Sequence, residues 1–378
     1  MGRKKNILVV DDSALMRRLI SDIINSDERF QVSDLAMNGL EAFDLVTRER
    51  GRYDAILLDI NMPRMNGIEF LEQLEKLKIR QKVIIVSTVA KEGAKETVRC
   101  LELGAFDFVT KPDSFMEARN NTFRSMLLAS LKAATGVDFG LPAAPARQAA
   151  ARPKAESITS AASKALYGAT SAPVKRAPHR QVPAGSKKLV ALACSTGGPK
   201  ALQSVIPLLP AELDAPFVLV QHMPPGFTKS LADRLNELSK ITVKEAEEGD
   251  VLQKGTVYIA KGGSQMRVVK RGGGYQIALN ADEPARGGLK PCADILYESL
   301  TELDFDEITC VVLTGMGGDG TLGIKQLNNQ KNIYVIAQDE PTCTVYGMPR
   351  VVAEAGLVDE VVPLTAVAEA ITKNVGVR

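Results

Sequence analysis

Short runs of consecutive apolar residues, set on both sides of a long polar stretch, most constrain how this chain can fold. Before the stretch they are ILVV at 7–10, AILL at 55–58, VIIV at 83–86 and FDFV at 106–109, with a weaker VSDLA at 32–36. After it come LVALA at 189–193, FVLV at 217–220, CVVL at 310–313 and YVIA at 334–337. A strand with one wet face alternates apolar and polar residues; a continuously apolar strand is covered on both faces, as in a parallel sheet wrapped by helices. Amphipathic helical patterns, such as those at 14–24, 39–48 and 67–77, separate the first set of runs. Glycine- or proline-marked turns and helices follow the second set. The expectation is an α/β protein of two domains: an N-terminal five-stranded parallel sheet and a C-terminal doubly wound, mostly parallel sheet. One section departs from this grammar. TVYIA at 256–260, QMRVV at 265–269 and YQIAL at 275–279, around Gly272–Gly274, reads as antiparallel strands or a hairpin added to the second sheet.

The polar stretch marks the boundary. LPAAPARQAAARPKAE and TSAPVKRAPHRQVPAGS are rich in Ala, Pro, Ser and basic residues and carry no apolar period, so they cannot repay the entropy of ordering. The domains expected are 1–134 and 187–378, with a flexible linker at 135–186. Residues 135–188 hold nine Lys/Arg against two acids, Asp138 and Glu156, in a chain whose formal net charge is +2. The basic character thus sits in a tether and not on a folded face, which argues against nucleic-acid binding. No run approaches the roughly 18 apolar residues of a membrane span, so no direct membrane insertion is expected. Nor does the amino terminus, with strand-like residues and two aspartates directly after it, read as a secretory signal. Five cysteines without paired spacing indicate neither disulfides nor a zinc site, and a cytoplasmic setting is the default.

Ligands of open parallel sheets collect at the carboxyl ends of the strands. In the first domain those ends carry Asp11, Asp12, Asp59, Ser87 and Lys111. Clustered carboxylates repel one another, and a hard divalent cation such as Mg²⁺ relieves them while allowing one to accept a phosphoryl group. Ser87 could then hydrogen-bond that group and Lys111 pair with it. Singly, each residue has a structural reading; Asp12 or Ser13, for instance, is a good N-cap for the helix at 14–24.

VVDDS at 9–13, LLDINMPRMNG at 57–67, VST at 86–88 and TKP at 110–112 closely resemble the receiver domains of bacterial response regulators. The resemblance implies the flavodoxin-like receiver fold. It also implies that Asp59 is the phosphoacceptor, and that Asp11, Asp12, Asp59 and the backbone carbonyl of Asn61 hold Mg²⁺. Ser87 and Lys111 would sense the phosphoryl group.

The chain has two histidines. His179 lies in the linker, so imidazole chemistry in the second domain falls to His222, which follows the apolar strand at 217–220. Its candidate partner is Ser195 in LVALACSTGG. A serine at a strand-to-helix junction projects its hydroxyl above the sheet, beside backbone N–H groups able to stabilise an oxyanion, although no G-x-S-x-G is present. Asp319, in the glycine-rich loop at 314–320, reaches the same sheet edge as a group to orient the imidazole. A simple N-cap serine and a surface histidine remain open readings of each residue alone. Cys194 is a further possible nucleophile, but adjacent strand residues face opposite ways, and the apolar alternation makes Cys194 the buried one.

Residues 315–320 also spell G-x-G-x-x-G between a strand and a helix, with Asp339 about 20 residues on, as in a dinucleotide site. Against that reading, Asp319 would face a pyrophosphate, a repulsion of about 4 kcal/mol at 4 Å. Ser195 and His222 would also have no role. Receiver domains often drive DNA-binding or pure interaction modules as well, but this effector has too many strands for a compact helix-turn-helix.

CSTGGPKAL at 194–202, QHMPPGFTKSLADRLN at 221–236, YIAKGG at 258–263, LTGMGGDG at 313–320 and YGMPR at 346–350 resemble the catalytic domain of the chemotaxis protein-glutamate methylesterases. With the receiver in front, the architecture is similar end to end, the tether excepted. The resemblance implies Ser195 as nucleophile, His222 as general base and acid, and Asp319 as its orienting partner, with no cofactor in the catalytic domain. It implies methylated glutamates of chemoreceptors as substrate and often glutamine deamidation. A chemotaxis histidine kinase would be the phosphodonor, and phosphorylation would relieve inhibition by the receiver.

Overall fold

The computed structural model describes residues 3–88, 91–112, 121–137, 180, 182–183 and 185–378. Most of the expected linker at 135–186, His179 included, lies outside the described residues. The chain forms two compact units, described here one at a time.

The first holds a five-stranded sheet in the order β2-β1-β3-β4-β5, with every pairing parallel. Strands β1 (Lys5–Val10), β3 (Ala55–Asp59) and β4 (Val83–Ser87) are buried almost throughout, which is why they read as continuous apolar runs. The weaker pattern of β2 (Phe30–Ala36) has a cause: it is an edge strand, five of whose seven residues are at least partly exposed. β5 (Asp107–Thr110) closes the other edge. Helix starts are written into the loops. Ser13 accepts the Met16 N–H at 3.4 Å to begin α1 (Ala14–Asn25), and Asn38 accepts the Glu41 N–H at 3.0 Å to begin α2 (Gly39–Arg48). Asn66 and Glu69 form a reciprocal capping box at α3 (Gly67–Lys76). The chain leaves β1 for β2 on one side and later returns to β3 on the other. The carboxyl ends of β1 and β3 therefore flank the switch point, where such sheets bind ligands.

The second unit holds a seven-stranded sheet in the order β14-β13-β12-β6-β7-β9-β8, parallel at every pairing. Its strands are β6 (Lys188–Cys194), β7 (Phe217–Gln221), β8 (Thr242–Glu245), β9 (Thr256–Ile259), β12 (Glu307–Val312), β13 (Ile333–Gln338) and β14 (Glu360–Val362). The TVYIA run expected among antiparallel strands is a correction: Thr256–Ile259 is β9, wholly buried and parallel to both β7 and β8. The antiparallel part is the separate pair β10 (Gln265–Arg271) and β11 (Gly274–Asn280), joined by Gly272 and Gly273 at φ 58° and 82°. Two consecutive positive φ values are what a two-residue hairpin turn of matching twist requires.

Here the switch point lies between β6 and β12, with β7 beyond β6. The core between sheet and helices includes the fully buried Tyr297 of helix α4 (Ala293–Ser299), whose hydroxyl lies 3.1 Å from Ala191 O and 3.3 Å from Val311 O. Burying such a ring contributes roughly 1.5–3 kcal/mol, and its hydroxyl is satisfied by the two strands flanking the switch point. Among the described residues, no helix is long and apolar enough to cross a membrane.

Candidate active site

At the carboxyl ends of β1 and β3, Asp11 and Asp59 are 1% and 6% exposed, while Asp12 is open to solvent. One oxygen from each of the three carboxylates lies within 4.8 Å of the others. Lys111 Nζ stands 2.8 Å from Asp11 Oδ2 and 2.8 Å from Asp59 Oδ2. Burial raises the Asp59 pKa, and the Lys111 charge only partly offsets it. Burial would lower Lys111, yet the two carboxylates outweigh it and hold the ammonium firmly charged. The Ser13 N–H donates to Asp11 Oδ1 at 2.8 Å and the Ile60 N–H to Asp59 Oδ1 at 2.8 Å. Each carboxylate is thus fixed in direction. Ser87, 2% exposed, ends β4, and its carbonyl accepts the Lys111 N–H at 2.7 Å. Asn61 is exposed, two residues beyond Asp59. The loop it belongs to folds tightly beneath Asp59 because Gly67 has no side chain: a Cβ there would stand 2.9 Å from Ile60 Cα. One lysine against two buried carboxylates and a third nearby leaves an excess of hard oxygen donors, a set suited to Mg²⁺.

Ser195 immediately follows β6, His222 follows β7, and Asp319 lies seven residues past the end of β12. The structure brings them to one sheet edge by backbone bonds. The Ser195 N–H donates to Thr314 O at 3.0 Å, and the His222 N–H donates to Cys194 O at 3.2 Å. Ser195 O accepts the Gly198 N–H at 2.7 Å, closing the turn into helix α5 (Gly198–Val205). Gly315 packs on the serine so closely that a Cβ there would come within 2.8 Å of Ser195 Cβ. His222 Nε2 lies 2.7 Å from Asp319 Oδ2. The Asp319 carboxylate is 2% exposed. It also accepts the N–H groups of Ala293 (2.6 Å), Asp294 (3.0 Å) and Gly320 (3.0 Å) and the Cys292 thiol (3.1 Å). Burial alone would raise its pKa, but the hydrogen bond and charge of His222, with the Ala293 and Asp294 N–H groups, bring it down to about 2. An ionised Asp319 accepts, so His222 Nε2 carries the hydrogen in that contact.

Three participants had not been singled out from the sequence. Asp294 is buried beside Asp319, and burial followed by the Asp319 charge pushes its carboxyl up to about 7. Cys292 donates to Asp319, as above. Gln221, the last residue of β7, is 1% exposed and bonds to the segments of both Ser195 and His222. The last had a signal: a glutamine ending an otherwise apolar strand. Cys194 is fully buried, as its place in the alternation indicates, and burial pushes its thiol pKa far up, away from nucleophilic use.

The G-x-G-x-x-G loop is otherwise committed. Gly315 N–H donates to Val345 O at 3.0 Å, and Gly315 O accepts the N–H groups of Gly347 (3.1 Å) and Met348 (2.9 Å). The Gly320 N–H is spent on Asp319, and Asp339 caps a short turn by accepting the Thr342 N–H at 3.3 Å. These bonds turn the loop toward its own chain, away from a pyrophosphate, and the dinucleotide reading is not favoured.

Comparison with known proteins bears on both halves. The family model described as CheB methylesterase matches residues 190–371, and that of the response regulator receiver domain matches residues 7–120. The protein-glutamate methylesterase/protein-glutamine glutaminase of Bacillus subtilis (strain 168) is 41% identical over 370 residues, covering 98% of each chain. That of Pyrococcus abyssi (strain GE5 / Orsay) is 40% identical over 374 residues, 99% of this chain and 94% of its own. The crystal structure of the Thermotoga maritima CheB methylesterase catalytic domain is 41% identical, with a TM-score of 0.48, and covers 50% of this chain and 98% of that one.

Proposed function

Because this chain belongs to the protein-glutamate methylesterase/protein-glutamine glutaminase family, we propose that Ser195, His222 and Asp319 hydrolyse glutamate methyl esters on chemoreceptors under the control of Asp59. It is a receiver-controlled carboxyl ester hydrolase of chemotaxis. The domain limits we assign are 1–134 for the receiver, 135–186 for a linker and 187–378 for the catalytic part, in a cytoplasmic protein. What most supports the residue roles is the 2.7 Å contact between His222 Nε2 and a buried carboxylate held ionised at about pKa 2, one strand from Ser195.

In this reading His222 Nδ1 takes the Ser195 proton as Oγ bonds to the ester carbon. The imidazolium returns its proton to the departing methoxide, and methanol leaves an acyl-serine. Water, deprotonated by His222, then splits the acyl bond; the serine recovers its hydrogen and the glutamate carboxyl is free. From a glutamine side chain the same steps release ammonia. Asp319 keeps Nε2–H engaged throughout, and its four other donors fix the carboxylate that orients the imidazole.

In the receiver, Asp11, Asp12, Asp59 and the backbone carbonyl of Asn61 would hold Mg²⁺, which supplies charge neutralisation for phosphoryl oxygens. Asp59 Oδ2 accepts the phosphoryl from a chemotaxis histidine kinase, and its P–O bond replaces the donor's P–N bond. Lys111, between Asp11 and Asp59, pairs with the new group, and Ser87 donates a hydrogen bond to it. The test is methanol release from methylated receptor membranes with and without acetyl phosphate. Ser195→Ala is expected to abolish release while Asp59 still takes up phosphoryl; persistent hydrolysis by that variant would overturn the assignment.

A further inference from the structure

Gln221 occupies a position the reaction as described does not use. β6 and β7 are parallel neighbours in which Cys194 pairs with Gln221, so the next residue of each strand is Ser195 and His222. Beyond that last rung the Ser195 and His222 N–H groups still bond to Thr314 O and Cys194 O, at 3.0 and 3.2 Å, but no ladder bond links their two carbonyl groups, which must be joined by something else. The Gln221 carboxamide does this. Nε2 donates one hydrogen to Ser195 O at 3.0 Å and the other to His222 O at 3.1 Å, while Oε1 accepts the Cys194 thiol at 3.0 Å. Its orientation is settled, since a flipped amide would set an oxygen against two carbonyls. Every hydrogen-bonding group of the amide but one lone pair is used, at 1% exposure. The neighbourhood is cut to fit: a Cβ at Gly198 would overlap Gln221 Oε1 and stand 3.0 Å from Cys194 Sγ. The buried Cys194 and the second glycine of the CSTGG turn thus acquire a purpose.

We propose that Gln221 is a positioning residue that ties the Ser195 and His222 peptide groups together and sets the hydroxyl-to-imidazole geometry. The proposal rests on the serine–histidine reading above, and the test separates the two. The probe is a fluorophosphonate applied to the full-length protein: Ser195 Oγ bonds to phosphorus, the P–F bond breaks, fluoride leaves and the serine proton passes to His222. Peptide mass spectrometry locates the adduct. Absence of labelling at Ser195 in the unaltered protein sinks the serine–histidine reading itself. With labelling established, Gln221→Leu, close in volume but unable to donate, is expected to lower the maximal labelling rate by roughly 100-fold. The probe concentration giving half that rate should stay within about twofold. A rate within threefold of the unaltered protein, in a folded variant, overturns the proposal.

If Gln221→Leu does not fold, Gln221→Glu decides. Its carboxyl keeps the shape, and when protonated it still donates to one carbonyl; ionised, it repels both. Around it stand the Cys194 thiol, which burial keeps protonated, and, one residue on, the His222 imidazole with Asp319. Labelling of Gln221→Glu, taken as a ratio to that of the unaltered protein at the same pH, should fall as pH rises and its own carboxyl ionises. A purely structural role would lower the unfolding midpoint and leave that ratio flat, and that outcome refutes the proposal.

Discussion

Replacing Asp319 with asparagine tests the orientation of the imidazole most sharply. Asp319 Oδ1 accepts from Cys292 Sγ, Asp294 N and Gly320 N, and Oδ2 from Ala293 N and His222 Nε2. An asparagine must put its NH₂ on one side. On the Oδ1 side it would oppose three donors; on the Oδ2 side it opposes the Ala293 N–H and faces His222, which can adapt. The second choice costs less, leaving one buried N–H without a partner, about 1–3 kcal/mol of stability. It also forces Nε2 to accept, moving the ring hydrogen to Nδ1, where the serine proton should go. The same exchange in a serine-protease triad lowers kcat by about 10⁴, through the wrong tautomer. Here kcat for methanol release is expected to fall by ~10³–10⁴, about 4–5.5 kcal/mol of transition-state stabilisation, with KM little changed. The assay is methanol release from methyl-labelled receptor membranes, alongside a urea unfolding curve showing the variant folded. A folded variant retaining more than a tenth of the original kcat would mean that Asp319 does not set the tautomer.

Two further substitutions bear on neighbouring carboxylates. Burial, then the Asp319 charge, pushes the Asp294 carboxyl up to about 7, so between about pH 4 and 7 the native state holds a proton that the unfolded chain has lost. Stability should therefore fall as pH rises through that window. Asp294→Asn keeps an acceptor for the Gly323 N–H, which now donates to Asp294 Oδ1 at 2.8 Å. It should stabilise the protein by on the order of 3 kcal/mol at pH 8 and hardly at all near pH 4, read from urea midpoints; equal effects at both pH values would contradict the assignment. Asp59→Asn should eliminate phosphoryl uptake from acetyl phosphate and any change in methanol release on adding it, leaving basal release in place. Retained uptake on protein gels would move the phosphoacceptor elsewhere.

Both sheets were legible where strands are covered on two faces, because such strands leave unbroken apolar runs. β8 (Thr242–Glu245) and β14 (Glu360–Val362) left no such trace, being short edge strands with only part of their surface buried. Thr256–Ile259 was misassigned although it is as continuously apolar as its neighbours: the hairpin close behind it suggested antiparallel company. Ser195, His222 and Asp319 could be singled out because the chain offers few histidines and marks the other two with glycines. Gln221 showed only as a polar residue ending an apolar strand; Cys292 and Asp294 did not show, since each acts through a partner 25 or more residues away in the chain. Those partners are set by where a helix arrives, and no periodicity records that.

The arrival of α4 also explains why a loop spelling a nucleotide motif serves a carboxylate. Asp319 stands just before helix α6 (Thr321–Asn328), yet its oxygens take the first N–H groups of α4, those of Ala293 and Asp294. Asp294 lies in α4, yet it accepts the N–H of Gly323 in α6. Each helix start is satisfied by the carboxylate of the other. The helices approach closely enough because a glycine stands at 323, where a Cβ would fall 2.6 Å from Tyr297 Cβ and 2.8 Å from Asp294 O. The glycine that permits this close approach stands three residues past the motif, and what approaches it is another helix, not a phosphate. It follows that the direction of Asp319 is set by the start of α4 as well as by the loop that carries it.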